Sequence, residues 1–208
     1  TSCLFWCQGG WGQIDMLLCG LEMMSLWFFF TAPEKGGAQR FALGYVFAGL
    51  AMLAKGPVGL GIPIGIYVAV TLVSGGLATL KRWHWLWGIP LACAIPGAWL
   101  WLAVRENPPS EYFHAMFGAK SFGRVLADHH AQAFYYYLKT FPLDFLPWTV
   151  FLPAAYRALE PGVLRRRLVA WVLVVIFLFS LSVGKRNLYI LTAWPGAAKL
   201  IAASWGGF

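Results

Sequence analysis

The sequence predicts an all-α fold, a polytopic bundle of membrane-spanning helices. Of its 208 residues, 60% are hydrophobic and only 12% are charged, and the mean hydropathy is +0.64. Soluble domains carry about 25% charged residues, so this chain has roughly half the charged groups that a water-facing surface needs. Its 12 Trp and 16 Phe also suit a bilayer, because aromatic rings collect at membrane interfaces.

Seven apolar blocks are candidate membrane segments. A helix needs about 20 mostly apolar residues to cross the hydrocarbon core. The second and third blocks are short and meet at Lys55-Gly56-Pro57, so they are either two helices joined by a tight turn or one broken helix. The seven blocks are residues 12–31, 41–54, 57–73, 84–104, 133–156, 168–183 and 187–205.

With seven segments, successive loops alternate between the two membrane faces. One face receives hydrophilic linkers whose Lys and Arg residues are typical of cytoplasmic loops. The opposite face receives Asp15, Lys55, the long segment 105–132 and the turn at 184–187, so we predict it to be the active-site face. The linkers of the first face are residues 32–40, 74–83 and 157–167.

The charge and the cysteines exclude other classes of protein. The net charge is +8, but the 16 Lys and Arg are spread between apolar blocks and form no clustered basic surface for nucleic acid. They suit cytoplasmic loops and anionic lipid head groups instead. The four cysteines form no metal pattern and are interpreted as buried free thiols.

The ends of the chain predict a fragment. It begins at Thr1, without an initiator Met or the basic region of a signal peptide, and both ends adjoin apolar sequence. We therefore expect residues 1–208 to be a single transmembrane domain, incomplete at both ends, with 105–132 as an extracytoplasmic loop.

Asp15 begins an apolar block and is a candidate catalytic residue. An acid within a membrane segment is energetically expensive and by default suggests a function. The alternative is a helix N-terminal charge that complements the macrodipole. Glu22, deeper in the same block, is expected to face a neighbouring helix.

Two basic turns are candidate phosphate sites. In Lys55-Gly56-Pro57-Val58-Gly59, glycine lets the backbone approach an anion and lysine supplies a point charge. The alternative is a lysine that only extends to the membrane interface. The turn at Lys185 and Arg186, followed by Tyr189, is either a second phosphate clamp or a plain interfacial anchor.

The segment 105–132 mixes cations, acids and histidines, including Arg124 and His130, and the aromatic run 134–137 follows it. Arginine forks phosphate oxygens, and aromatic faces lie against sugar rings, so the segment suits a sugar phosphate. The alternative is an amphipathic interfacial helix. Because the adjacent His129 and His130 would point to different helix faces, we assign no metal site here. No cofactor is assigned, and a divalent metal stays open.

Several motifs occur in an order that resembles one family. "QIDMLLCGLEMMSLWFF", "AKGPVGLGIP", "GRVLADHHAQAFYYYL", "LPWTVFLP" and "SVGKRNLYILTAWPG" span residues 13 to 196. Together they resemble the bacterial relatives of the dolichyl-phosphate-mannose protein mannosyltransferases, a group that includes the aminoarabinose transferases that modify lipid A. In the lipid A branch a metal-binding His precedes the loop arginine by three residues, where this chain has Ser121.

The resemblance implies a GT-C fold in the bacterial inner membrane, with an active site that faces the periplasm. The family transfers a sugar, with inversion, from a polyprenyl-phosphate carrier to a lipid or protein acceptor. It implies that Asp15 lines the same cavity as the carrier phosphate. The main catalytic acid would lie upstream, so this fragment would be inactive alone. The residues implied for the carrier phosphate are Lys55, Arg124, His130, Lys185 and Tyr189.

Two other functions stay open at this point. A transporter or flippase of lipid-linked anions also needs cations near one membrane face and broken helices. It would further need gating at both faces and usually an inverted repeat. An enzyme instead needs a carboxylate at the site that acts as general base. A structural membrane subunit would need none of these charges.

Overall fold

The computed structural model describes residues 2–10, 13–33, 37–76, 80, 84–106, 132–181 and 185–205. Within these ranges every regular element is helical, which confirms the predicted all-α fold. A 3₁₀ helix at Trp148–Phe151 and another at Asn187–Ala193 lead into α7 and α9. The α-helices are α1 (Cys3–Gly10), α2 (Ile14–Thr31), α3 (Gly37–Lys55), α4 (Val58–Val73), α5 (His84–Glu106), α6 (Tyr136–Asp144), α7 (Leu152–Ala158), α8 (Val163–Ser180) and α9 (Trp194–Ser204).

Three helices in the described part of the chain, α2, α3 and α5, are long and apolar enough to cross a membrane. The apolar α4 is shorter, and α8 matches α2 in length but carries three arginines in its first turns. Large apolar side chains such as Trp27, Trp101 and Phe177 are exposed on these helices. Acyl chains rather than water are the solvent that suits such a surface. The chain is therefore an integral membrane protein.

Two of the predicted segments are not single helices. Residues 133–156 fold as α6, a turn, a 3₁₀ helix and α7, and the segment contains Pro142, Pro147 and Pro153. Residues 187–205 begin as a 3₁₀ helix and become α9, with Pro195 in its first turn. Of these prolines, Pro147 lies in the turn that separates α6 from the 3₁₀ helix, and apolar composition alone does not reveal such a break.

The turn at Lys55-Gly56-Pro57 joins two helices rather than breaking one. Gly56 has a φ of +73°, a conformation that favours glycine, and its amide donates to Met52 O at 2.7 Å. A Cβ on Gly59 would lie 2.2 Å from the carbonyl carbon of Ala51, so only glycine lets α4 return this closely along α3. Of the two predicted alternatives, two helices joined by a tight turn is therefore the correct one.

Antiparallel helices give the bundle two ends. At the linker end, Arg40 Nη1 donates to Thr31 Oγ1 at 2.8 Å and Arg167 Nε donates to Ser74 Oγ at 2.7 Å. At the site end, Lys55 pairs with Asp15. The linkers therefore lie at one end of the bundle, and Lys55 and Asp15 lie at the other, as the predicted alternation of loops requires. The predicted loop 105–132 lies almost wholly outside the described residues.

A cluster of aromatic side chains fills the bundle towards the linker end. The buried rings of Phe29, Phe41, Tyr45 and Tyr67 pack together, and the His84 ring stacks on Phe41 with 3.9 Å between centroids. The interpretation of the cysteines as buried thiols is correct for Cys19 but wrong for Cys7 and Cys93, which are exposed. Both exposed thiols lie on helix surfaces. Apolar neighbours in the sequence do not show which face of a helix packs against other helices, so the exposure of these thiols was not predictable.

Candidate functional site

Lys55 lies at the centre of the site end. Its Nζ forms an ion pair with Asp15 Oδ1 and lies 4.2 Å from the centroid of the Tyr189 ring. The Lys55 and Asp15 side chains are 24% and 13% exposed, so the pair is partly open. Three segments that are remote in sequence thus meet around one ammonium group.

The position of this ion pair follows from the helix ends. Asp15 lies in the first turn of α2 and Lys55 is the last residue of α3. Each charge complements the macrodipole at its own helix end, and the antiparallel packing of the two helices places those ends side by side. The N-terminal charge role considered for Asp15 is therefore compatible with a role at the site, because the same carboxylate contacts Lys55.

A buried hydrogen bond holds the 3₁₀ helix that carries Tyr189. Thr192 Oγ1 donates to Glu22 Oε2 at 2.7 Å, and both residues are buried. Trp171 Nε1 donates to Thr192 O at 2.9 Å. The Tyr189 ring also packs on Phe179, with 5.6 Å between centroids. Glu22 thus faces a neighbouring helical segment, as expected, and ties α2 to the segment that supplies Tyr189.

Polar contacts from α6 and from the residue Gln132 before it hold the start of this 3₁₀ helix and the residues that lead into it. Lys185 is buried, and its Nζ donates to Gln132 O at 3.0 Å. Asn187 Nδ2 donates to Asp144 Oδ1 at 2.9 Å, and the Tyr136 hydroxyl donates to Asn187 Oδ1. Sequence reasoning missed Asp144 and Asn187, although an acid inside an apolar segment was a signal that could have identified Asp144.

The structure brings together part of the predicted site. Lys55 contacts both Asp15 and Tyr189, and Lys185 lies at the same end of the bundle. Arg124 and His130 lie outside the described residues, so their place at the site stays a prediction. Within the described ranges, no group of three or more His, Cys, Asp or Glu residues could hold a metal ion. The predicted absence of a metal site is not tested by this observation.

The geometry of the site suits an anionic ligand. A lysine ammonium has three donors, and here one contact goes to a carboxylate and another face lies against an aromatic ring. The group is therefore held in place while part of it remains accessible. Lys185 adds a second positive charge on the segment that leads to Tyr189. A lysine ammonium is a point charge that can pair with a phosphate.

The fold is a membrane helix bundle of the GT-C kind. Its described helices match the crystal structure of ArnT from Cupriavidus metallidurans bound to undecaprenyl phosphate, with a TM-score of 0.77 and 23% sequence identity. The match covers 94% of this chain and 37% of that chain. The crystal structure of the same ArnT in the apo state matches with a TM-score of 0.71. The predicted GT-C fold is confirmed.

The sequence is also similar to curated proteins of named activity. The chain is 31% identical over 200 residues to the undecaprenyl phosphate-alpha-4-amino-4-deoxy-L-arabinose arabinosyl transferase of Aeromonas salmonicida (strain A449), which covers 88% of this chain and 36% of the relative. It is 29% identical over 195 residues to the enzyme of that name from Shewanella sediminis (strain HAW-EB3), which covers 86% of this chain and 35% of the relative. No protein-family model matches the chain. The similarity to aminoarabinose transferases that the motifs indicated is confirmed, and the chain spans about a third of the length of these relatives.

Proposed function

We propose that this chain is part of an integral-membrane glycosyltransferase that moves a sugar from a polyprenyl-phosphate carrier to a lipid or protein acceptor. The observation that carries the proposal is Lys55, whose ammonium is held between Asp15 and Tyr189 at a partly open end of the bundle. The names of the relatives support a donor of this kind. The solved structure with undecaprenyl phosphate bound supports a lipid phosphate as the ligand.

In the proposed mechanism, Lys55 and Lys185 bind the carrier phosphate electrostatically and the Tyr189 hydroxyl donates a hydrogen bond to it. The phosphate gains negative charge as the sugar departs, so cations already held in place stabilise the transition state more than the ground state. Asp15 orients the Lys55 ammonium through their ion pair. Arg124 and His130, from the loop between α5 and α6, would complete the phosphate site.

The acceptor hydroxyl needs a carboxylate as general base. The Asp15 carboxylate is already engaged in its ion pair with Lys55. Asp15 is therefore better suited to positioning Lys55 than to deprotonating the acceptor. We expect the main base to come from a part of the protein outside this chain, as the family resemblance implies.

The proposed orientation places the site end at the periplasmic face of the bacterial inner membrane. The linker end carries Arg40, Arg157 and the arginines that begin α8, and basic residues in short loops favour the cytoplasm. A polyprenyl-phosphate donor that has been moved across the membrane would then reach the site from the outer leaflet.

Binding of undecaprenyl phosphate to the purified full-length protein tests the proposal. Lys55→Met removes the charge and keeps most of the side-chain volume, so we expect affinity for undecaprenyl phosphate to fall by about tenfold or more, the value of a hydrogen bond to a charged group. Affinity for undecaprenol, which lacks the phosphate, should not change. Sugar transfer from the corresponding donor should fall in parallel.

Lys139→Met is the matched control. Lys139 is exposed, and its Nζ lies 4.7 Å from the centroid of the Tyr135 ring, which resembles the contact of Lys55 with Tyr189. Wild-type binding by both variants would refute the phosphate role of Lys55. A flippase would be favoured instead if Lys55→Met lost binding while the wild-type protein transferred no sugar and moved the lipid between leaflets.

A further inference from the structure

A partly polar cavity lies at the linker end of the bundle, at the opposite end from Lys55. Its volume is about 340 Å³, and it is formed where α2, α4, α8 and α9 come together. Pockets of roughly 300 Å³ and above are large enough for small ligands. Neither the sequence motifs nor the proposed transfer reaction uses this cavity.

The cavity carries positive charge and hydroxyl groups. Arg167 and Lys199 line it, together with the hydroxyls of Thr71 and Ser74. Arg167 Nε donates to Ser74 Oγ at 2.7 Å, while neither Nη atom has an acceptor among the described residues. Lys199 Nζ likewise has no hydrogen-bond partner there. No acidic side chain is found among the described residues that line the cavity.

The arginines of α8 add to the excess of positive charge at this cavity. Three consecutive arginines, residues 165–167, lie within the first turns of α8, and its first turn contains no acid. The N-terminus of a helix already bears partial positive charge, so cations there are unfavourable unless an anion approaches. Arg165 turns away and donates to Tyr156 O and Leu159 O, whereas Arg167 faces the cavity.

The remaining walls are apolar. Phe30 and Trp171 line one part of the cavity, and Val70 and Leu168 are buried beside them. A ligand that fits must therefore combine an anionic group, for the two cations, with an apolar part that lies along the helices. Because the cavity lies where helices end, it is at the depth of lipid head groups.

We propose that this cavity binds the phosphate head group of an anionic glycerophospholipid of the surrounding bilayer. Its phosphate would accept hydrogen bonds from the Arg167 guanidinium and from Lys199, and its acyl chains would follow the apolar wall. The site is independent of the polyprenyl-phosphate site proposed around Lys55, since the two lie at opposite ends of the bundle. It accounts for cations that the transfer reaction leaves unused.

Native mass spectrometry of the purified full-length protein tests this site, with dioleoyl phosphatidylglycerol as the probe and dioleoyl phosphatidylcholine for comparison. Each basic residue near a membrane surface contributes to anionic lipid binding, so Arg167→Gln and Lys199→Gln should each weaken phosphatidylglycerol binding by about fivefold. Neither change should alter phosphatidylcholine binding. Lys199→Gln breaks no internal hydrogen bond among the described residues, so it reports on the ligand even where Arg167→Gln lowers stability.

Arg157→Gln is the matched control, because Arg157 is an exposed arginine at the same end of the bundle and does not line the cavity. We expect it to leave phosphatidylglycerol binding unchanged. An equal loss in all three variants would overturn the proposal in favour of diffuse surface charge. Competition by inorganic phosphate at equal potency would also overturn it, because the ligand would then be a free anion. Lys55→Met should leave phosphatidylglycerol binding intact, which separates this test from that of the proposed function.

Discussion

The hydrogen bond between Thr192 and Glu22 makes a quantitative prediction about stability. Thr192 is 2% exposed and Glu22 is 0% exposed, and the bond spans 2.7 Å between segments that are 170 residues apart. Glu22 Oε1 has no hydrogen-bond partner among the described residues. The Thr192 hydroxyl is therefore the main described contact that compensates for burying this carboxyl group.

Thr192→Val removes the hydroxyl and keeps the branched shape of the side chain. The loss leaves a buried polar group without its partner, which costs about 1–3 kcal/mol of folding free energy. For a folding unit of about 150–250 residues, that corresponds to a fall in Tm of about 2–4 °C per kcal/mol. We expect a decrease of about 2 kcal/mol, and hence of roughly 4–8 °C, measured by tryptophan fluorescence during heating in detergent.

Thr140→Val is the control for this substitution. Thr140 Oγ1 is buried without a hydrogen-bond partner among the described residues, so replacing the hydroxyl with a methyl group should be neutral or slightly stabilising. Glu22→Gln retains an acceptor for Thr192 and should cost less than Thr192→Val. Equal Tm values for Thr192→Val and Thr140→Val would refute the reasoning, because the same chemical change would then have the same effect with and without a partner.

Two further predictions concern the site end. Gly59→Ala would place a methyl group 2.2 Å from the carbonyl carbon of Ala51, so we expect loss of monodisperse protein on size-exclusion chromatography, whereas Gly61→Ala, with nothing within 4 Å of its Cβ, should behave as the wild type. Asp15→Asn should lower the free energy of unfolding by about 1–3 kcal/mol, because the two side chains are only 24% and 13% exposed and the Lys55 ammonium loses its carboxylate partner. The same change should tighten undecaprenyl phosphate binding in a direct titration, since it removes a negative charge beside the proposed phosphate.

The fold was predictable to the extent that it follows from local composition. Apolar length alone located α2, α3 and α5, and the position of Gly56 and Pro57 indicated a possible turn between two helices. The interruption of residues 133–156 was not predicted, because apolar composition does not distinguish a continuous helix from short helices separated by proline turns. Proline alone does not make the distinction either, because Pro142 lies inside α6 and Pro90 and Pro96 lie inside the continuous α5.

The site was predictable where a charge stands alone in apolar sequence. Asp15 and Lys55 were identified in this way, and the structure places them in contact. The partner of Glu22 was not predictable, because Thr192 is an ordinary residue in an apolar segment and the two are far apart in sequence. Asn187 was missed for the same reason, since its role depends on Asp144, which only the folded chain brings near.

The charge balance around Lys55 explains why one lysine is not sufficient for the proposed ligand. Without ligand, the ammonium is neutralised by Asp15, which reduces the cost of holding a charge at the membrane boundary. When a phosphate arrives, the pair can offer donors but little net charge, so the affinity must come from further cations such as Lys185 and Arg124. Removal of Asp15 should therefore strengthen phosphate binding, whereas weaker binding by Asp15→Asn would mean that the orientation of Lys55 matters more than the charge of its partner.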